Sequence, residues 1–236
     1  TTAQAANVLS HLEYYLQIVW PELNVNVVST TEQWAGAAIA GPKSRDMLSK
    51  LYPDLDVSNE ALPFMGYKEA EFFGVPSRIF RISFSGELAY EINVKSDHGM
   101  FMWEKMMEVG KEFGNQPYGT EALSTLRIEM GHVAGPELDG RTIPSDVSLN
   151  GLVSKKKDFI GKNSLGREAF NVESRQKIVG LIPIDRKSSI PEGSHIVQDQ
   201  NAKLPNPKLG HVSSSCWSVE NNNPFSLAIM KDGKNM

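Results

Sequence analysis

Apolar residues recur at intervals of three and four near the start of the chain. Ala5, Val8, Leu9, Leu12, Leu16 and Val19 form the stripe of an amphipathic helix. Pro21 ends it, because proline lacks the amide donor and clashes with the preceding turn. Two short strands are then predicted, from Val25 to Ser29 and from Trp34 to Ala40. Gly41-Pro42 turns the chain into a helix that carries Met47, Leu48 and Leu51 inward. From Arg78 to Phe84 the pattern switches to period two, with Phe80, Ile82 and Phe84 on one face. It resumes from Ala89 to Val94, where Tyr90, Ile92 and Val94 share one face and Ala89, Glu91 and Asn93 the other. Ser85-Gly86-Glu87-Leu88 between them is turn-like, so a hairpin is expected.

Helical spacing returns after Asp97, a candidate cap, with Trp103, Met106, Met107, Gly110 and Phe113 inward and Gly114 as the closing glycine. Thr120 can cap a further helix, with Leu123, Leu126 and Met130 on one side and Gly131 at its end. Beyond about Ser174 helical periodicity stops, and short apolar runs such as Ile178 to Ile182 alternate with proline, glycine and asparagine clusters. Hairpins and helices mixed without regular βα alternation predict an α+β fold of layered antiparallel sheets with helices. The expected division is residues 1–173 as one domain and 174–236 as a small, incomplete β-barrel.

Composition narrows the class. With 236 residues, 40% apolar and 22% charged, the chain is an ordinary globular protein. No stretch approaches the roughly 18 apolar residues of a membrane-spanning helix, and no signal-peptide layout is visible. A cytoplasmic protein without membrane contacts is expected. The net charge of −4 argues against a nucleic-acid partner, and Lys155-Lys156-Lys157, followed by Asp158, reads as a solvated loop. One cysteine, Cys216, permits no internal disulfide. His11, His98, His132, His195 and His211 lack metal-site spacing, so no metal is expected. The first residue is Thr1 and the last run stops at a turn signal, so both ends read as cut.

Candidate chemistry is sparse. Glu91, opposite the apolar Tyr90/Ile92/Val94 face, is either a solvent-facing strand glutamate or a carboxylate that accepts paired hydrogen bonds from an N–H/NH₂ edge. Arg127 and Glu129 are read as surface or inter-helix ion-pair residues, worth about 0–1 kcal/mol if exposed. Asp139-Gly140-Arg141 and Pro144-Ser145-Asp146 are loop signals that can line a cleft or simply turn the chain. No GxSxG elbow, P-loop or GxGxxG turn is present.

Several segments, in order, resemble the glycine-cleavage T-protein (aminomethyltransferase) superfamily. They are Thr31 to Ala35 leading to Gly41 to Arg45, Phe84 to Glu91, Tyr118 to Leu123 running to Leu126 to Gly135, Lys157 to Lys162, and Gly210 to Ser215. The wording is similar to the sarcosine oxidase alpha-subunit branch. Leu123 stands where glycine-cleavage proteins tend to have arginine, and Phe84 replaces their usual tyrosine. The resemblance implies a tetrahydrofolate-binding domain, truncated at its N-terminus, that captures the one-carbon product of amine oxidation as 5,10-methylenetetrahydrofolate. Flavins and NAD would lie elsewhere in a hetero-oligomeric oxidase whose other subunits are the partners. It places the pterin-holding glutamate at Glu91 and an apolar wall at Phe84, with Thr1 and Thr2 near the ligand. The family's catalytic aspartate falls upstream of Thr1, so no catalytic residue is expected, and the isolated polypeptide is expected to be inactive and to bind folate weakly. Two other readings stay open: a structural or subunit-docking domain, and a transferase or demethylase acting on another methylated amine.

Overall fold

The computed structural model describes residues 4–233. The chain forms two compact units: one runs up to Ser83 and includes Glu87–Pro117, and the other comprises Phe84–Gly86 and the chain from Tyr118 onward. Each has one four-stranded antiparallel sheet, and the expected α+β class of layered sheets and helices holds.

In the first unit the sheet order is β1–β4–β3–β2, from Trp34–Ala40, Ala89–Lys95, Val75–Phe80 and Tyr67–Phe72. Tyr90, Ile92 and Val94 of β4 are fully buried, as their alternation predicts. They pack with Ile39, Phe72 and Ile79 of the neighbouring strands and with Met47, Leu48 and Leu51 of α2 (Ser44–Leu51). Met102 and Met106 of α3 (Gly99–Gly110) complete this core. The polar tips inside it are satisfied: Arg45 donates to the Tyr90 hydroxyl over 3.1 Å, and the hydroxyls of Tyr52 and Ser77 lie 2.9 Å apart. Burial pushes the Tyr52 phenol up to about 12, against the opposing effect of the Ser77 hydrogen bond.

Several expected elements shift. Residues 25–29 belong to no strand; an extended segment becomes one only when a neighbour takes its amides and carbonyls. The strand expected to run to Phe84 ends at Phe80, and the ladder to β4 stops at the pair Phe80↔Glu91. Arg81 then exchanges backbone bonds with Met65 and Gly66, and Leu88 is gripped by the amide of Gly41 and the hydroxyl of Ser44. Between them the connection takes Gly86 at φ +85, so the expected four-residue turn is a longer loop. The core face of β3 therefore carries Ser77 and Ile79 rather than Phe80, Ile82 and Phe84. On α3 the buried residues are Met102, Met106 and Gly110, while the expected Trp103 is exposed, a rotation of the stripe by one position. Asp97 lies in a 3₁₀ turn (Ser96–His98) ahead of α3 and makes no capping bond, but Gly114 closes the helix in the left-handed region as expected.

The first helix, α1 (Ala5–Tyr14), forms where the periodicity places it, yet none of its residues is buried. Thr1 and Thr2 lie outside the described residues.

In the second unit α4 (Thr120–Glu129) packs on a sheet of order β5–β8–β7–β6, from Lys177–Leu181, Asn223–Met230, Lys208–Ser218 and His195–Val197. Thr120 opens α4, but its N-cap is Gly119 and no side chain caps it. The sheet begins near the expected 173/174 boundary, while the compact units divide at Pro117/Tyr118. Within the second unit, side chains bridge position 173/174: Arg175 clasps Asp146 with two 2.7 Å bonds, and Lys177 donates to the Ser145 carbonyl over 2.8 Å.

The alternation on β4 sets the energetics of the first unit. Ile92→Ala is expected to destabilise it by about 2–5 kcal/mol through lost burial and the cavity left behind. Lys95→Ala, at an exposed position, should stay within about 0.5 kcal/mol of the parent. Urea unfolding midpoints of the two variants check the contrast.

Candidate functional site

Glu91 projects from β4 on the face opposite Tyr90, Ile92 and Val94, where the sequence places it. Its cross-strand partners are Ala38 on β1 and Phe80 on β3. Pairing puts Tyr67 of β2 next in the same row, and the Tyr67 and Phe80 rings lie 5.1 Å apart at 36°. The row beside it reads Gly36, Asn93, Arg78 and Glu69. A β-carbon on Gly36 would come within 2.7 Å of the Asn93 amide oxygen, so a larger residue there would push the Asn93 side chain aside. The Arg78 guanidinium stacks 4.1 Å over the Trp34 ring and lies 3.5 Å from Glu69, which also accepts from the Tyr67 hydroxyl.

Glu91 is partly buried, and burial raises its carboxyl above the usual range, with no side-chain hydrogen bond among the described residues to offset that. An acceptor in this state favours a ligand edge that brings two donors at once.

Phe84 belongs to the second unit, where its ring meets His132 edge-on at 4.8 Å and remains partly exposed. Gly86, two residues on, accommodates Met130, whose side chain would lie within 2.2 Å of an added β-carbon.

Of the surface or inter-helix ion pair expected for Arg127, the structure shows a buried pair, with Glu137 rather than Glu129. Arg127 is buried, donates to Glu137 over 2.8 Å and to the Ser214 hydroxyl over 2.6 Å, and Ser214 donates in turn to the other oxygen of Glu137. The Ala134 amide adds a 2.9 Å bond. Burial pushes the Glu137 carboxyl up, but the bonds from Ser214, Ala134 and Ser213 and the Arg127 charge outweigh it and hold the group below the usual range. Arg127 sits four residues after Leu123, within the apolar stripe of α4, and a charge in such a stripe signals a buried partner. The partner itself, ten residues on in sequence with Ser214 far beyond, has no local signal. Glu129 is not the partner of Arg127, and its Oε1 is buried without one among the described residues.

The loop candidates are engaged in ion pairs. Asp139 pairs with Arg141, whose hydrogen bond is the main reason its carboxyl falls to about 2. Asp146 is fully buried beneath Arg175. Cys216 lies within β7, and burial pushes its thiol up to about 11, which leaves it a poor nucleophile. The described residues contain no cluster of histidine, cysteine and carboxylate able to hold a metal, and no helix among them is long and apolar enough to cross a membrane.

Comparison with known proteins fits this architecture. The fold is that of aminomethyltransferase T: the glycine cleavage system protein from Bartonella henselae superposes with a TM-score of 0.68 over 84% of this chain and 52% of that one, at 23% identity. The GCVT N-terminal domain family matches residues 1–157, and the chain belongs to that family. It is 43% identical over its whole length to sarcosine oxidase subunit alpha of Rhizobium meliloti (strain 1021), covering 24% of that protein. It is 30% identical to the aminomethyltransferase of Chloroherpeton thalassium (strain ATCC 35110 / GB-78), over 89% of this chain and 56% of that one. The chain thus spans about a quarter of the length of the sarcosine oxidase alpha subunit.

The buried ion pair yields a stability prediction. Glu137→Ala strands the Arg127 charge and is expected to cost about 3–5 kcal/mol, and Arg127→Met with Glu137→Leu should recover much of it. Because the Glu137 carboxyl is lowered on folding, its contribution is complete above the unfolded glutamate value of about 4.3 and is lost as pH falls through the folded value. Thermal melts of wild type and Glu137→Gln between neutral and acid pH measure that difference.

Proposed function

We propose that this chain is the tetrahydrofolate-binding, one-carbon transfer domain of a sarcosine oxidase alpha subunit. In this reading it takes up the one-carbon product of amine oxidation carried out at a flavin elsewhere in a hetero-oligomeric enzyme. The observation that carries the reading is Glu91: a partly buried carboxylate without a donor among the described residues, raised by burial, in a chain 43% identical from end to end to such a subunit. An acceptor of that kind fits the N–H/NH₂ edge of a pterin. Bound tetrahydrofolate supplies the nitrogen nucleophiles that receive the one-carbon unit. Glu91 orients the ring by accepting two parallel bonds, and Phe84 keeps only the role the family resemblance gives it, an apolar side chain without the hydroxyl a tyrosine would add. Neither residue moves a proton in the transfer, and the catalytic aspartate is assigned to sequence upstream of this chain.

A second reading, a docking domain without chemistry, draws on the exposed apolar side chains of the N-terminal segment, among them Val8, Leu12, Tyr14 and Ile18. Glu91→Gln separates the two. Charge-assisted bonds contribute about 1.5–3 kcal/mol, so folate affinity of the protein carrying this chain should fall roughly ten- to hundredfold in the variant. Stability should move the other way. A carboxyl raised on folding costs stability as pH rises above the unfolded glutamate value of about 4.3, in full once pH passes the folded value, so Glu91→Gln should melt at or above wild type at pH 7. Calorimetric titration with folinic acid and a thermal melt read both, and unchanged affinity would favour the docking domain.

A further inference from the structure

We propose that Phe80 is a positioning residue of the Glu91 site: its ring, stacked on Tyr67, walls the Glu91 carboxylate from water so that it accepts a ligand's paired N–H donors. The inference rests on the reading of Glu91 as the pterin acceptor and adds a residue to it. Phe80↔Glu91 is the last pair of the β3–β4 ladder, and side chains of residues directly opposite rise from the same face with β-carbons about 5 Å apart. On the other side of Glu91 stands Ala38, whose methyl shields little. Along β4 the same-face neighbours are Ala89 and Asn93. Phe80 is therefore the large apolar side chain next to Glu91 within this sheet, and the 5.1 Å contact with Tyr67 limits its ring motion.

Tyr67 is held in turn by its hydroxyl bond to Glu69, and Glu69 draws Arg78. The charged groups on this face of the sheet are Arg78 and Lys95 on β3 and β4 and Glu69 and Glu71 on β2; β1 presents Trp34, Gly36, Ala38 and Ala40. Arg78 is engaged by Trp34 and Glu69, so neither it nor β1 supplies Glu91 with a counter-charge. Burial is the cause of the raised Glu91 carboxyl, and the large apolar residue paired with Glu91 in this sheet is Phe80.

Phe80→Ser removes the wall, and Phe80→Leu preserves most of it. Binding of folinic acid to the protein carrying this chain, measured by calorimetry from pH 5 to 8, distinguishes them. Wild-type binding should weaken as pH falls through the Glu91 value, because the protonated acid accepts poorly. In Phe80→Ser the acid limb should move to lower pH and neutral-pH affinity should drop about tenfold, while Phe80→Leu should track wild type. If Phe80→Ser fails to fold by circular dichroism, Phe80→Thr, which keeps strand propensity but not the apolar ring, decides the matter. An unchanged affinity and acid limb in Phe80→Ser or Phe80→Thr overturns the role of Phe80 and leaves Glu91 standing. Wild-type binding that is absent, or equal in Glu91→Gln, overturns the Glu91 reading and this inference with it.

Discussion

The first unit is organised by the two-residue period of β4. Tyr90, Ile92 and Val94 must enter the core between β1 and β3 and beneath α2 and α3, which fixes the register of both ladders. A slip of one residue would thrust Glu91 and Asn93 among Ile39, Met47 and Leu48 and leave three large apolar groups in water. Burying an unpaired carboxylate there would cost several kcal/mol, so the register that satisfies the core is also the one that presents Glu91 on the far face. Core and candidate site are two consequences of one pairing.

The second unit solves a different problem, a charge inside its own packing layer. Arg127 lies under α4, where the stripe would otherwise be apolar, and reaches Glu137 and Ser214 from segments ten and eighty-seven residues away. A lone guanidinium in that place would be strongly destabilising; with its hydrogen bonds made, it ties the helix, the turn at Gly135–Glu137 and β7 to one arrangement. Asp146 does the same for the segment ahead of β5 through Arg175 and the backbone amide of Ile143. Buried ionic clasps of this sort join residues on both sides of 173 into one compact body.

What was legible in the sequence follows from what is local. The bounds of β1, the burial of Met47, Leu48 and Leu51, the two faces of β4 and the closing role of Gly114 and Gly131 all follow from periodicity or from a backbone angle that only glycine adopts easily. The errors are non-local. Phe80, Ile82 and Phe84 alternate well enough to read as one strand, but pairing with β4 ends at Phe80 because the backbone of Arg81 goes to Met65 and Gly66. Residues 25–29 have strand-like composition and no neighbour to pair with among the described strands. Phe80 was visible as a strand aromatic, yet its place beside Glu91 depends on the β3–β4 register, which no local pattern encodes.

Glu91, the proposed ligand acceptor, and Glu137, a structural acid, differ in how the protein meets their carboxylates. Both are withdrawn from water, and in both burial is the largest influence on the carboxyl. Glu137 is met by an arginine, a serine hydroxyl and a backbone amide, and ends below its usual range; its acceptor capacity is filled by the protein. Glu91 meets no such donors among the described residues and ends above it. The fold keeps a raised, donor-poor carboxylate at some expense to its own stability, and in the proposed function an outside group brings the missing N–H bonds. In that reading Glu91 takes its missing donors from a ligand, whereas Glu137 has already been answered from within.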